Sequence, residues 1–181
     1  ILDVDGIIYV GCSDGSISSY DTTLQTNAFA LEAASIYSIN IKDKQLYALA
    51  EQESGGNPRL HHIDLSTQTE STDSFPSTLG FSSFKDAEIV SNFLIVSHGG
   101  NNLSKVDLSS GSPTRDDEGP TSPTYSDILR DSSAANALVA GGTGGVVVFQ
   151  LSSNNTQLSL LGDNWGNVTA LAANDGSLWI A

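Results

Sequence analysis

One spacing constrains this chain more than any other feature. The segments Ser16-Ile-Ser-Ser-Tyr-Asp21, Leu60-His-His-Ile-Asp64, Leu103-Ser-Lys-Val-Asp107 and Val146-Val-Val-Phe-Gln150 end at positions 21, 64, 107 and 150, an interval of 43 residues each time. Three of the four end in Asp. A repeat of this length marks a stacked architecture, in which one supersecondary unit buries its faces only against its neighbours.

Each of these segments reads as a strand, and a second strand precedes it: Ile7 to Gly11, Leu46 to Ala50, Phe93 to Ser97 and Ala137 to Gly141, with a fifth copy at Leu178 to Ala181. These runs are nearly continuous in apolar or small residues, as suits strands buried on both faces. Gly- and Asn-rich turns follow, at Ser13 to Gly15, Ser54 to Pro58, Gly99 to Asn102 and Gly141 to Gly145. A third apolar strand lies upstream of each pair: Ile1 to Val4, Ile36 to Ile41, Ala87 to Val90, Tyr125 to Leu129 and Val168 to Ala172. A fourth, more polar strand is read at Phe29 to Glu32, Glu70 to Phe75, Pro113 to Asp117 and Gln157 to Leu161. No stretch carries a long apolar stripe at helical spacing, so almost no helix is expected.

Four short antiparallel strands in a recurring unit predict an all-β fold, a β-propeller. A two-sheet sandwich also uses many short strands but leaves the regular interval unexplained. The blades are expected at about 1-34, 35-84, 85-122 and 123-166, with part of a fifth at 167-181. On this reading the chain is a portion of a larger ring, its remaining blades supplied by the parent chain or by another subunit. Trp179 takes the place of Tyr9, Tyr47, Ile95 and Val139 in earlier copies, so it is expected to pack between blades once further strands cover it.

The strand-ending pairs Tyr20-Asp21, Ile63-Asp64 and Val106-Asp107 resemble degenerate WD repeats, in which a strand ends in Trp-Asp. In that family the Asp belongs to a structural hydrogen-bond network. No Trp precedes these aspartates, so each is read as favouring the turn that follows. From Ile7 to Asp107 the chain is also similar to the lactonase-like seven-bladed propellers, through Ile8-Tyr-Val-Gly11, Leu46-Tyr-Ala-Leu-Ala-Glu51 and Leu94-Ile-Val-Ser-His-Gly-Gly100. That resemblance places Glu51 where the family often has an acidic residue facing a central site. It also calls for a His between Ser82 and Val90, where this chain has none.

Composition narrows the partners. The 181 residues hold 21 acidic and 7 basic side chains, a net charge of −14. Phosphate backbones and anionic membrane surfaces both need a Lys/Arg surface, so neither nucleic acid nor membrane is expected as partner. One cysteine, Cys12, rules out an internal disulfide; no cationic neighbour activates it, and it reads as a small core residue. With no signal segment and a first residue other than Met, the chain reads as starting within a longer or processed polypeptide. An intracellular setting is favoured, with secretion left open.

The chemistry-bearing residues are few. His61 and His62 are neighbours in a strand, so they point to opposite faces and cannot chelate one ion together. His98 follows a buried strand at a Gly-Gly turn; with Glu51 one blade earlier it is the candidate acid/base pair, against the reading of a hydrogen-bonded turn histidine. Gly141-Gly-Thr-Gly-Gly145 lacks the Lys-Ser/Thr ending and the following helix of a phosphate loop, and reads as a hairpin turn. Glu70, Asp73, Asp116, Asp117 and Glu118 lack calcium-loop spacing. No metal or cofactor is therefore expected. Asn102, Asn154 and Asn167 head glycosylation triplets that matter only in a secreted protein. Ser109 to Ser126, with three prolines, reads as a long loop. The expected function is a non-catalytic scaffold for protein partners bearing basic patches. The alternative is a lactonase-like hydrolase acting on a small-molecule lactone or sugar derivative through Glu51 and His98.

Overall fold

Short apolar runs become strands here because turn formers close them off every few residues, too soon for a helix to gain from its own hydrogen bonds. The computed structural model describes residues 2–4, 6–21, 23, 26–31, 33–52, 59–74, 84–98, 102–109, 114–118, 125–130, 137–142, 145–151, 158–163, 167–174 and 177–181. Among them there is no helix. The chain divides into two units, Ile1–Gly80 and Phe81–Ala181.

The first unit holds two four-stranded antiparallel sheets. One is β1 (Leu2–Val4), β2 (Ile7–Gly11), β3 (Ser16–Tyr20) and β4 (Thr26–Ala30); the other is β5 (Ala33–Lys42), β6 (Gln45–Gln52), β7 (Arg59–Asp64) and β8 (Thr69–Ser74). In both, spatial order follows chain order. Tyr9 and Ile17 of the first sheet pack with Ile39, Leu46, Ala48 and Ile63 of the second. Ile8 points the other way and is 43% exposed, so β2 is covered on one face and not on two as its composition suggests.

The second unit repeats the pattern. Its sheets are β9 (Asp86–Val90), β10 (Phe93–His98), β11 (Asn102–Asp107) and β12 (Thr114–Glu118), then β13 (Tyr125–Arg130), β14 (Ala137–Gly142), β15 (Gly145–Leu151) and β16 (Leu158–Asp163), then the pair β17 (Leu171–Asn174) and β18 (Ser177–Ile180). The first strand of each sheet packs against the first strand of the next, β9 on β13 and β13 on β17. Val90, Ile95 and Leu103 close on Tyr125 and Ile128 to form the core between the first two sheets. Lys105 is also buried there, its ammonium 4.2 Å over the Phe93 ring, where the negative face of the π system offsets part of the lost hydration.

Three strands differ in place from the sequence reading. β4 starts three residues before Phe29, because its register with β3 pairs Tyr20 with Thr26, and the Leu31 amide then bonds the Gly15 carbonyl. β17 starts at Leu171, since the Val168 amide is drawn to the Gly142 carbonyl of the preceding sheet. β12, read at Pro113 to Asp117 inside the long loop Ser109 to Ser126, lies one residue later at Thr114–Glu118 and pairs with β11 across a bulge at Lys105/Val106. The remainder of that loop at 110–113 and 119–124, and the turns at 53–58, 99–101 and 143–144, lie outside the described residues.

The turns show their chemistry directly. Lys42 pairs with Gln45, and the two residues between them, Asp43 and Lys44, take φ of 51° and 62°. That is the mirror-image hairpin turn whose twist matches the strands. The strand-ending aspartates act as turn clamps. Asp64 Oδ1 accepts from the Ser66 amide at 2.8 Å, the Ser66 hydroxyl at 2.5 Å and the Thr67 amide at 3.1 Å. Asp21 grips Thr23 in the same way, and Asp107 accepts the Ser109 amide at 2.7 Å. The Ser66 hydroxyl and amide and the Thr67 amide hold the Asp64 carboxyl down at about 2. A lowered carboxyl adds stability above its unfolded value, near 4, and loses it as pH falls toward the folded value. Asp64→Ala should thus speed amide exchange at Ser66 and Thr67 at pH 7, with the difference from the parent shrinking below about pH 3.

Candidate functional site

His98 ends β10 and is 2% exposed. Its Nε2 lies 2.8 Å from the Ser104 hydroxyl on β11, which is fully buried. Glu51 lies in the first unit, near the end of β6, and is exposed. It accepts a 3.0 Å hydrogen bond from the Tyr37 hydroxyl. Tyr37 stands at a register shift between Ile36 and Ser38, and such a bulge re-aims a side chain. Burial, and then the neighbouring Glu51, push the Tyr37 phenol up. Each member of the expected acid/base pair thus has a partner within its own unit.

The other singled-out residues take structural positions. Strand alternation turns His61 inward, at 1% exposure, and leaves His62 half-buried with its ring 4.8 Å from that of Tyr47. His61 Nδ1 meets Glu70 Oε1 at 2.6 Å, diagonally across β7 and β8. Cys12 is half-buried, and its carbonyl accepts the Ile36 amide at 3.1 Å, tying the first sheet to the second. Gly142 and Gly145 close the β14–β15 hairpin. Asp117 pairs with Lys105 in register. Among the described residues no three His, Cys, Asp or Glu side chains gather as a metal ion requires. In the glycosylation triplets, Ser104 is buried, Asn167 is exposed, and Asn154 lies outside the described residues.

The arrangement with the greatest chemical content was not singled out in the sequence. Asp86 on β9 and Asp127 on β13 hold equivalent places in consecutive sheets, opposite Ser97 and Gly141, and their carboxyls are hydrogen-bonded to each other. Each also reaches the backbone of the next sheet. Asp86 Oδ2 accepts the Ile128 amide of β13 at 3.1 Å, and Asp127 Oδ2 accepts the Leu171 amide of β17 at 2.6 Å. A bulge between Tyr125 and Asp127 brings the second carboxyl into place. The Ser97 hydroxyl and the Asp86 backbone bond each other in both directions, at 3.0 and 3.2 Å. Burial, and then the bond to Asp127, push the Asp86 carboxyl up to about 8. The pair can share one proton between two carboxyls because ionising both would set like charges side by side.

Recurring four-stranded antiparallel sheets, joined first strand to first strand, define a β-propeller repeat protein. No family model and no curated protein matches the sequence. Solved structures do. The β-propeller domain of Cps50 (Swd1) from Myceliophteria thermophila aligns over 97% of this chain and 58% of its own length, with a TM-score of 0.72 and 15% identity. A functionally unknown protein from Desulfotomaculum acetoxidans aligns over 97% of this chain and 59% of its own, with a TM-score of 0.73 and 11% identity. BamB from Moraxella catarrhalis aligns over 99% and 52%, with a TM-score of 0.61 and 18% identity. At such identities the likeness shows the fold. The chain spans less than two thirds of the length of these structures.

Proposed function

We propose that this propeller is a non-catalytic scaffold that presents its loop-lined faces to protein partners bearing basic patches, with further blades from the parent chain or another subunit. The observation that carries this reading is the occupation of the most reactive side chains. His98 is engaged by Ser104, His61 by Glu70, and Asp86 and Asp127 by each other and by backbone amides of the next sheet. Such partners favour a structural reading of these side chains, and fold alone does not assign chemistry. The net charge of −14 favours cationic partners, because complementary fields speed encounter and reject like-charged competitors.

The test uses the full-length protein and two probes, a lysine-rich peptide and its glutamate-rich counterpart. The lysine-rich peptide should bind with an affinity that falls as salt rises, and the acidic one should not bind. Asp43→Lys combined with Glu51→Lys reverses two exposed charges and should weaken binding severalfold. Binding indifferent to salt and to the reversal would remove the charge argument. A parallel assay of lactone hydrolysis addresses the enzyme reading: activity that Glu51→Gln abolishes would defeat the scaffold.

A further inference from the structure

We propose that Asp86 and Asp127 form a pH-sensitive latch between consecutive sheets of residues 81–181, closed while one proton bridges the two carboxyls and released when that proton leaves. The geometry carries this. The two carboxyls link β9 to β13, and the amides of Ile128 and Leu171 extend the chain of hydrogen bonds to β17. The proton between the carboxyls thus sits inside a chain of hydrogen bonds that runs across three sheets.

Among the described residues, the elements packed against the pair bring few other ionisable groups. β9 contributes Asp86 and Glu88, with exposed Lys85 just before it. β10 contributes His98, which is turned to Ser104, and the uncharged hydroxyl of Ser97. β13 contributes Asp127, Tyr125 and, at its far end, Arg130. β14 and β17 carry no ionisable side chain. Asp127 is the group whose charge acts on Asp86.

The sign follows from linkage. Folding raises the Asp86 carboxyl above its unfolded value near 4, so the folded state holds a proton that the unfolded state has already lost. The stabilisation is fully present below about pH 4 and declines as pH rises through the folded value of about 8. Above that, two carboxylates repel each other across the junction of β9 and β13, and the hydrogen bond that Asp86 accepts from the Ile128 amide has to hold against that repulsion.

Carbon-13 NMR of the full polypeptide, labelled at aspartate, tests this between pH 5 and 10. The Asp86 carboxyl carbon should titrate with a midpoint near 8, and the amide resonances of Ile128 and Leu171 should move at that same midpoint. In Asp86→Asn the neutral amide group can still accept from Ile128 and donate to Asp127, so the movement of both amides should vanish. An Asp86 carbon already fully titrated by pH 5 overturns the proposal. So do amides that stay still in the parent protein, or that keep their midpoint in Asp86→Asn. The titration of the parent protein decides the matter even if the variant does not fold.

Discussion

Ile95→Ala should destabilise the protein by about 2–5 kcal/mol, the cost of deleting a large aliphatic side chain from a well-packed core. Ile95 is fully buried in β10, and its neighbours Val90 and Leu103 belong to the same sheet, while Tyr125 and Ile128 face it from β13. Backbone ladders on both sides of β10 hold these neighbours in place, so they cannot collapse into the space. The lost methyl groups therefore leave a cavity as well as a transfer deficit. For a domain of this size the melting temperature should drop by roughly 5–15 °C. Circular dichroism melts of the full-length protein read this directly, and a drop of less than 2 °C would mean that the two sheets are not packed as described. Ile95→Val, which removes a single methylene, should cost about 0.5–1.5 kcal/mol and provides the graded control.

Gly11→Ala tests the other unit and the opposite error, overpacking. A β-carbon on Gly11 would stand 2.6 Å from Ile36 Cγ2 and 3.1 Å from Ile36 Cβ. The second contact decides the outcome, because a β-carbon cannot swing away by changing rotamer. Relief requires β5 to move off β2, which would stretch the 3.1 Å bond from the Ile36 amide to the Cys12 carbonyl. The expected loss is about 1–3 kcal/mol. A second substitution, Ile36→Ala, removes Cγ2 and its 2.6 Å contact but keeps Cβ, so it relieves part of the clash at its own cavity cost, and the double variant should lose less than the sum of the two singles. Strict additivity would show that Gly11 and Ile36 do not meet.

Most of the strand plan was legible because it rests on local chemistry. Ile7–Gly11 matches the sequence reading residue for residue, and Phe93–His98 extends it by one. The aspartates at 21, 64 and 107 lacked the tryptophan of the WD pattern, and that alone pointed to the turn clamps they form with residues two positions on. β12 was the hardest to see. Its residues Thr-Arg-Asp-Asp-Glu carry no apolar alternation, and the ladder to β11 makes it a strand. Trp179 is expected to pack between blades once further strands cover it; in this chain it is 66% exposed, on a strand that pairs only with β17 among the described residues. Repeat position assigns a side chain to a face, but neighbouring strands decide whether that face is covered.

The sequence by itself determined the repeat, the all-β class and the turns, since strand alternation and turn preference act over two to five residues. Tertiary structure alone decided the carboxyl pair. Asp86 lies 42 residues from the amide it accepts and Asp127 lies 44 from its own, and neither sits in a motif that marks it out among the 21 acidic residues. A carboxyl's tendency to hold a proton depends on the water it loses and the charge it meets, and both are properties of the assembled sheets.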